Sequence, residues 1–170
     1  MKMQDQREIK AAREVVFAAI LDPEVLKDCI PGASEVTGSV SEGYNAVVTQ
    51  KVGPVKATFK GQVQMSDIVE NEAITITGEG KGGAAGFAKG GAVVTLEEIA
   101  PELTRLSYDV EAKVGGKLAQ LGSRIIDGFA KKMADQFFSN LQDGLEGPSE
   151  EEADEDAPKK GWFKRLTGKS

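Results

Sequence analysis

The sequence predicts an α+β fold, in which a curved antiparallel sheet wraps around a long C-terminal helix and two short helices follow the first strand. Residues 34–113 alternate between apolar and polar side chains and are interrupted by turn signals, which indicates a strand meander. Residues 117–141 carry apolar side chains at spacings of three and four, which indicates an amphipathic helix. Between a weakly alternating first strand, residues 3–9, and the meander, Asp22-Pro23 ends one short helix and begins another.

The meander has one apolar and one polar face. Along residues 55–65 and 106–114, every second residue is apolar or glycine, and the residues between them are polar or charged. Short connections join neighbouring strands in antiparallel order, and the turn signals here are Glu42-Gly43, Gly53-Pro54, Glu70-Asn71 and Ala100-Pro101. The apolar face requires a cover, and we expect the long helix to supply it. The predicted covering stripe is Leu118, Leu121, Ile125, Phe129, Met133, Phe137 and Leu141.

Composition limits the class of protein. The chain has 170 residues, of which 40% are hydrophobic, and this suffices for the core of one domain, expected over residues 1–143. The net charge is −6 and the pI is about 4.9, so free association with nucleic acid is not expected. No stretch of about 18 to 20 apolar residues predicts a membrane-spanning helix.

The single cysteine, Cys29, and the absence of histidine exclude an intramolecular disulfide and a structural zinc site. The N-terminus lacks the apolar core of a signal peptide. Both observations favour a reducing, cytoplasmic compartment.

The residue types offer little for catalysis. Without histidine, the chain lacks the usual proton shuttle and the common serine and cysteine catalytic arrangements. Asp109 and Glu111 share a strand face, but it is the polar face, so a solvated surface is favoured over a working carboxylate pair. Cys29, next to Ile30-Pro31, is interpreted as a buried or gate-lining thiol and not as a nucleophile. We therefore expect a binding protein and not an enzyme.

Residues 78–83, GEGKGG, match the G-x-G-x-x-G pattern of dinucleotide-binding loops. Such a site needs a helix to open at the third glycine, whereas residues 93–96 indicate another strand. The favoured interpretation is a glycine-rich hairpin, in which small residues on the sheet face leave open space beneath the helix. The alternative is close packing of the helix backbone through Gly115, Gly116, Ala119 and Gly122.

We predict an apolar cavity between sheet and helix, suited to a lipid-like or quinone-like ligand because few polar groups face it. The alternative is that the aromatic and methionine side chains of the helix simply fill a core. The predicted lining is Phe59, Gly61, Val63, Phe87, Tyr108, Leu118, Leu121, Ile125, Phe129, Met133 and Phe137. The predicted entrance lies where proline and glycine break the backbone, and comprises Cys29, Ile30, Pro31 and Gly86.

The composition changes sharply after residue 143. Six of the seven residues 150–156 are acidic, and the segment 144–158 is predicted to be a flexible, self-repelling linker. Residues 159–170 contain five basic residues, no acidic residue and the only tryptophan, and predict an amphipathic segment at an anionic membrane surface. A docking peptide for another protein and a tail without a role are the alternatives. The predicted membrane contacts are Lys159, Lys160, Trp162, Phe163, Lys164, Arg165, Leu166 and Lys169.

Four sequence blocks together resemble one known family. They are DPEVLKDCIPG at 22–32, VGPVKATFKG at 52–61, GKGGAAGFAKGGA at 80–92 and GGKLAQLGSR at 115–124. Their combination is similar to the CoxG family, which is associated with aerobic carbon monoxide dehydrogenase, over about residues 2–141.

The resemblance implies a helix-grip fold of the START-like (SRPBCC) superfamily, with a deep apolar cavity between sheet and long helix. It also implies an accessory protein that brings a molybdenum-dependent carbon monoxide dehydrogenase to the cytoplasmic membrane and holds no molybdenum, flavin or iron–sulfur centre itself. We accordingly expect a peripheral protein on the inner face of the membrane, with no covalent cofactor.

Joined to the predicted cavity, this implies a carrier of a respiratory quinone, such as menaquinone or ubiquinone, that links the enzyme to electron transport. A pure membrane-recruitment scaffold without a carried ligand is the alternative. A third possibility, an enzyme acting on an aromatic ligand, requires a buried ionisable group in the cavity.

Overall fold

The computed structural model describes residues 1–147, which form seven strands and four helices. The strands are β1 (Lys2–Ile9), β2 (Ala33–Ser39), β3 (Gly43–Val52), β4 (Val55–Val69), β5 (Ala73–Lys81), β6 (Phe87–Ala100) and β7 (Leu103–Gly115). The helices are α1 (Arg13–Leu21), α2 (Pro23–Cys29), α3 (Lys117–Gln120) and α4 (Ser123–Glu146), and a 3-10 turn spans Gly83–Ala85.

The seven strands form one antiparallel sheet in the order β1-β7-β6-β5-β4-β3-β2. Strands β2 to β7 follow one another as a meander, and β1 returns to pair with the last strand, β7. Each of the four predicted turn signals lies at a connection between consecutive strands, as the alternation requires. The α+β fold class, the two short helices after β1 and the long C-terminal helix are confirmed.

A closed apolar core occupies one end of the molecule. The inner face of the sheet there packs against α1, α2 and the C-terminal half of α4. Its fully buried side chains include Ile9, Val16, Ile20, Val25, Ile74, Val94, Leu106, Leu141 and Leu145. Burial of such side chains supplies most of the free energy that holds helices on a sheet.

Hydrogen bonds from buried or half-buried side chains fix the helices on this core. The Tyr44 hydroxyl donates to the Leu21 carbonyl over 2.7 Å, and the Thr104 hydroxyl donates to the Ala11 carbonyl over 2.7 Å. The Asn140 amide donates to the Cys29 carbonyl over 3.0 Å and so joins α4 to the end of α2. The Leu21 and Cys29 carbonyls lie at the C-terminal ends of α1 and α2, where the backbone has no helical partner for them.

The junction between α1 and α2 is built as the sequence predicts. The Asp22 carboxylate accepts a hydrogen bond from the Glu24 amide over 2.9 Å, and Pro23 occupies the first helical position. Aspartate is a strong N-cap because it satisfies an amide that lacks a helical partner, and proline at this position loses no hydrogen bond.

The continuous helix predicted over residues 117–141 is wrong in one respect. It is divided into α3 and α4 because Gly122, between them, adopts a positive φ angle of 90°, and Gly116, just before α3, has a φ angle of 73°. These conformations are left-handed, and glycine adopts them without the steric cost that other residues incur. Helix α4 also continues to Glu146, three residues past the domain boundary predicted at residue 143. The linker from residue 148 to 158 and the predicted membrane segment, 159–170, lie outside the described residues.

The stripe predicted for the long helix is also only partly correct. Phe138 and Leu145 are buried, whereas Ile125 is 42% exposed and Ile126 is half-buried in its place. Each step of four residues drifts by about 40° around an α-helix, so a long run at that spacing winds off one face. The packed stripe therefore alternates steps of three and four residues.

We predict that Leu141→Ala destabilises the domain by about 2–5 kcal/mol, since the side chain is fully buried and its removal leaves a cavity. Ile125→Ala, at the exposed end of the same helix, is the control and should cost about 1 kcal/mol or less. Urea unfolding followed by circular dichroism measures both values. Equal losses would contradict the packing of α4 described above.

Candidate functional site

Small residues cross the inner face of the sheet next to the closed core. Ala46, Gly61, Gly80 and Ala88 are successive cross-strand partners from β3 to β6. In the adjacent row, Val63, Gly78, Gly90 and Ala112 are partners from β4 to β7. We call the small members of both rows the glycine band: Ala46, Gly61, Gly78, Gly80, Ala88, Gly90 and Ala112.

Helix α4 does not pack on the central glycines of this band. A Cβ atom built on Gly61 would meet only the backbone oxygens of Glu79 and Ala46, at 3.5 and 3.9 Å. One built on Gly80 would meet only the Cβ of Phe59, at 3.8 Å. No atom of α4 lies within 4 Å of either position.

The N-terminal half of α4 presents apolar side chains that are only half-buried. Ile126, Phe129, Met133 and Phe137 all retain intermediate exposure, whereas the residues toward the C-terminus are buried in the core. At its start, the helix approaches the β3–β4 hairpin, where a Cβ on Gly53 would lie 3.6 Å from the Ile125 side chain. Helix α4 thus packs into the core at its C-terminal end and approaches a hairpin at its start. We call the region between the half-buried apolar side chains of α4 and the glycine band the candidate space.

Three connections surround the open end of this space, and we call them the mouth: residues 52–55, 82–86 and 115–122. Gly86, in the second connection, has a φ of 113°, and a Cβ there would lie 2.0 Å from the Gly115 carbonyl oxygen. A Cβ on Gly116 would lie 2.6 Å from the Cα of Gly86. The second and third connections therefore touch through backbone alone, which only glycine permits.

The predicted lining residues divide into three groups. Phe59, Gly61 and Val63 lie on the inner face of β4 and are half-buried, as are Leu121, Phe129, Met133 and Phe137 on the helical side. Leu118 is buried at the mouth, in α3. Tyr108 belongs to the closed core, where its ring stacks on Phe138 with centroids 4.3 Å apart.

Two predicted lining residues are misplaced. Phe87 pairs with Lys81 and Gly115, so it lies on the outer face of the sheet with Lys89, and it is 41% exposed. Ile125 is exposed at the rim of the mouth. Phe138 lies in the core, as expected for an aromatic side chain of this helix. Ile126 was not predicted, and the three- and four-residue period of the helix was the signal that could have identified it.

The predicted entrance is only partly correct. Cys29 is fully buried in the core and cannot form an entrance. Ile30 and Pro31 are half-buried, and the Pro31 carbonyl accepts a hydrogen bond of 2.6 Å from the Gln50 side chain, which ties this segment to β3. Gly86 packs against the backbone of Gly115 and Gly116, and its role at an entrance stays a prediction. Burial, reinforced by the negative charge of Asp28, raises the pKa of the Cys29 thiol from 9.0 to about 12.

The glycine-rich segment 78–83 forms a hairpin and not a nucleotide-binding loop. Gly78 and Gly80 belong to β5, and Gly83 begins a 3-10 turn of three residues that leads directly into β6. No helix opens at the third glycine of the motif, so the arrangement required for a pyrophosphate is missing there.

The interior of the described domain is almost entirely apolar. Among residues 1–147, no aspartate, glutamate, lysine or arginine side chain is buried, and Thr104 with the two tyrosines supplies the buried hydroxyls. Burial raises the pKa of both Tyr44 and Tyr108. Within the same residues, no group of three or more acidic or cysteine side chains is arranged to hold a metal ion.

The outer face of the sheet also carries a groove, of about 710 Å³, which crosses β4 to β7. It is open to solvent, and its lining includes the charged and amide side chains of Gln62, Gln64, Glu79, Lys113 and Glu111. An apolar ligand would remain hydrated there, whereas the inner space offers apolar walls on both sides. The inner space is therefore the better candidate for a ligand site.

A curved antiparallel sheet around a long C-terminal helix, with two short helices after the first strand, defines a START-like helix-grip protein. A START superfamily protein from Mycobacterium smegmatis is similar in structure, with a TM-score of 0.65 and 14% identity over 85% of this chain and 97% of that chain. A conserved protein from Geobacillus kaustophilus has a TM-score of 0.77 and 30% identity over 84% of this chain and 93% of its own. A protein from Chromobacterium violaceum has a TM-score of 0.63 and 20% identity, covering 87% and 99%.

The family model for the carbon monoxide dehydrogenase protein CoxG matches residues 6–146, and the chain belongs to this family. No curated protein sequence matches the chain significantly. None of the helices in residues 1–147 has the length and apolar character required to cross a membrane.

We predict that Cys29 of the native protein does not react with Ellman's reagent at pH 8, because the thiol is buried and its raised pKa leaves almost no thiolate. In about 8 M urea, where small proteins are usually unfolded, Cys29 should react within minutes and release one equivalent of the coloured thiolate. Absorbance at the wavelength of that chromophore measures both rates. A native rate close to the unfolded rate would show that Cys29 is accessible after all.

Proposed function

We propose that this protein is a non-catalytic accessory of a molybdenum-dependent carbon monoxide dehydrogenase, and that it carries a respiratory quinone in the space between the glycine band and α4. Menaquinone and ubiquinone are the expected ligands. Through them, the protein links the enzyme to the membrane and its electron transport chain.

The observation that carries this proposal is the space left above Gly61 and Gly80. If these positions belonged to a filled core, larger side chains would be expected there, because an unfilled apolar space loses packing contacts and lowers stability. Neither glycine has a positive φ angle, so the backbone does not demand glycine at these positions. A ligand that occupies the space in the working protein accounts for both facts.

The chemistry of the walls favours a quinone with an apolar side chain. Phe59, Phe129 and Met133 offer aromatic and polarisable surfaces on both sides of the space. A charged ligand would need a buried counter-charge, which residues 1–147 do not provide. The same absence speaks against an enzyme of this fold that acts on an aromatic ligand, since general acid–base chemistry needs an ionisable group in the cavity.

Membership of the CoxG family supports the link to carbon monoxide dehydrogenase. A soluble dehydrogenase cannot reach a quinone dissolved in the bilayer, whereas a small carrier with an apolar cavity can bring the quinone to it. The basic and aromatic segment 159–170 would hold the carrier near the membrane.

Extraction and mass spectrometry of the protein purified from its native host tests the ligand directly. We predict that the wild-type protein carries a quinone and that Gly61→Phe carries at least tenfold less, because the new ring occupies the space. Gln62→Phe adds the same ring to the opposite face of the same strand and should retain wild-type content. Absence of any quinone from the native wild-type protein would overturn the proposal.

The same pair of variants separates the carrier from a pure recruitment scaffold. A scaffold needs only its surface and its tail, so Gly61→Phe would support respiration on carbon monoxide as well as the wild type does. The carrier model expects respiration to fail with Gly61→Phe and to continue with Gln62→Phe.

We predict that Trp162→Ala/Phe163→Ala in the full chain weakens binding to vesicles that contain phosphatidylglycerol by at least about tenfold, because two buried rings are lost at the interface. The quinone content should not change. Sedimentation with vesicles measures the first effect and mass spectrometry the second. Unchanged vesicle binding would remove the tail from the proposed function.

A further inference from the structure

The charges of the described residues are divided unevenly between the two ends of the domain. The cross-strand row of Gly38, Tyr44, Val63, Gly78, Gly90 and Ala112 runs across the sheet and separates a half that contains the mouth from the other half. We call the first half, residues 30–38, 44–63, 78–90 and 112–128, the mouth half. It contains eight basic residues and three acidic ones, a net charge of +5, whereas the rest of residues 1–147 contains eight basic and eighteen acidic residues, a net charge of −10.

The basic residues of the mouth half are Lys51, Lys56, Lys60, Lys81, Lys89, Lys113, Lys117 and Arg124. All eight are exposed. Glu35, Glu79 and Asp127 are the acidic residues of this half, and Glu79 lies 3.6 Å from the Lys81 ammonium group. The described residues thus have a basic end around the cavity opening, although the whole chain is acidic.

Six of these lysines stand directly opposite one another on the outer face of the sheet. The register pairs Lys51 with Lys56 on β3 and β4, and it pairs Lys60 with Lys81 on β4 and β5. Lys89 and Lys113 are partners on β6 and β7. Lys89 also lies opposite Glu79 on β5, but this one glutamate does not balance six lysines. Like charges in direct cross-strand pairs destabilise a sheet, so the stability of the fold does not explain the three lysine pairs.

The other half of the sheet pairs its charges in the stabilising sense. Arg105 lies opposite both Glu8 and Glu97, with side-chain distances of 3.1 and 3.2 Å. Lys2 lies opposite Glu111 at 3.1 Å. Because the same sheet balances its charges elsewhere, the three lysine pairs indicate a function that requires an anionic partner at the mouth half.

Exposed apolar side chains accompany the lysines. Ile125 at the rim is 42% exposed and Phe87 on the outer face is 41% exposed. Gly53 and Pro54, at the tip of the β3–β4 hairpin, are also exposed. A mixture of lysines and exposed apolar groups suits the interface of an anionic bilayer, where charges meet headgroups and apolar groups enter the acyl boundary.

We propose that the mouth half is a docking surface for an anionic lipid bilayer, separate from the segment 159–170, and that it turns the cavity opening toward the lipid. The proposal rests on the proposed function in one respect, namely that a ligand passes through the opening. The docking itself depends only on the charges and apolar groups described here.

The tail and the mouth half can reach the same bilayer. Helix α4 runs from the mouth to the opposite end of the domain, and its 24 residues span about 36 Å. The chain from residue 147 to residue 159 can extend to roughly 40 Å. Two linked contacts with one surface strengthen each other, since binding of one raises the effective concentration of the other.

The test removes one lysine from each like-charged pair in the full chain, as Lys56→Gln/Lys60→Gln/Lys113→Gln. Each basic side chain at an anionic membrane surface strengthens binding by about fivefold, so we expect sedimentation with phosphatidylglycerol vesicles to weaken by at least about tenfold. The same variant should unfold at an equal or higher urea concentration, because repulsion between the paired lysines is relieved. A structural role for these lysines predicts a loss of stability instead.

The control, Lys10→Gln/Lys27→Gln/Lys132→Gln, removes the same net charge from exposed lysines outside the mouth half. It should keep vesicle binding within about twofold of the wild type if the location of the charge decides binding. Wild-type vesicle binding by the mouth variant, or equal losses in both variants, would overturn the proposal. Unchanged vesicle binding with weaker binding to purified carbon monoxide dehydrogenase would assign the surface to the enzyme and overturn it as well.

A fluorescent label tests the orientation. An environment-sensitive thiol dye at Thr58→Cys, in the mouth half, should shift to shorter wavelength on anionic vesicles, and the same dye at Glu102→Cys, in the other half, should not. The buried Cys29 does not compete for the dye. Equal shifts at both positions would overturn the orientation, whereas absence of quinone from the wild-type protein would overturn the proposed ligand and leave these results standing.

Discussion

The structure depends on the way in which α4 is held. Its C-terminal half is packed into the core by Leu141 and Leu145, and the stacked rings of Phe138 and Tyr108 join it to β7. Its N-terminal half has no such partners, because the sheet beneath it carries glycine and alanine. One helix therefore belongs to two environments: a close-packed core that provides stability, and a half-buried stretch whose apolar side chains lack such packing.

This division also limits the chemistry of the protein. Under the proposed function, the protein must bind its ligand firmly enough to shield it and release it without a covalent step, which apolar walls allow and charged anchors hinder. The buried hydroxyls in the described residues lie on Tyr44, Tyr108 and Thr104, and those of Tyr44 and Thr104 donate to backbone carbonyls in the core. Polar groups thus hold the helices in place, and the surface of the space itself stays apolar.

Much of the fold could be predicted from local pattern, because alternation and turn residues act over a few positions. The meander, the Asp22-Pro23 junction and the long helix follow from such signals. The helix break at Gly122 could not be predicted from such signals. A glycine within a helical pattern can continue the helix or adopt a positive φ that ends it, and the surrounding structure decides between the two.

The site was less predictable because it depends on register. Phe87 was expected on the inner face of the sheet and lies on the outer face. The connection before β6 determines on which face the strand begins, and a shift of one residue moves every side chain to the opposite face. Gly61 and Gly80 could be suspected of leaving space, but their alignment in one row required the pairing of three strands. The lysine pairs could not be predicted from the sequence for the same reason. The two lysines of a pair are distant in sequence, except Lys51 and Lys56 at the β3–β4 hairpin.

The attachment of α4 to β1 has a mechanical consequence. The Glu146 carboxylate accepts a hydrogen bond of 2.9 Å from the Lys10 amide, and the Gln142 amide donates to the Glu8 carbonyl over 3.1 Å. These bonds and the core fix the C-terminal end, while the start of the helix lies next to α3 and to the β3–β4 hairpin near Gly53. Such a helix acts as a lever, in which a rotation of about 10° at the fixed end moves the free end by roughly 6 Å, given a rise of about 1.5 Å per residue. A small rearrangement at the pivot would therefore change the distance between α4 and the sheet most at the opposite end.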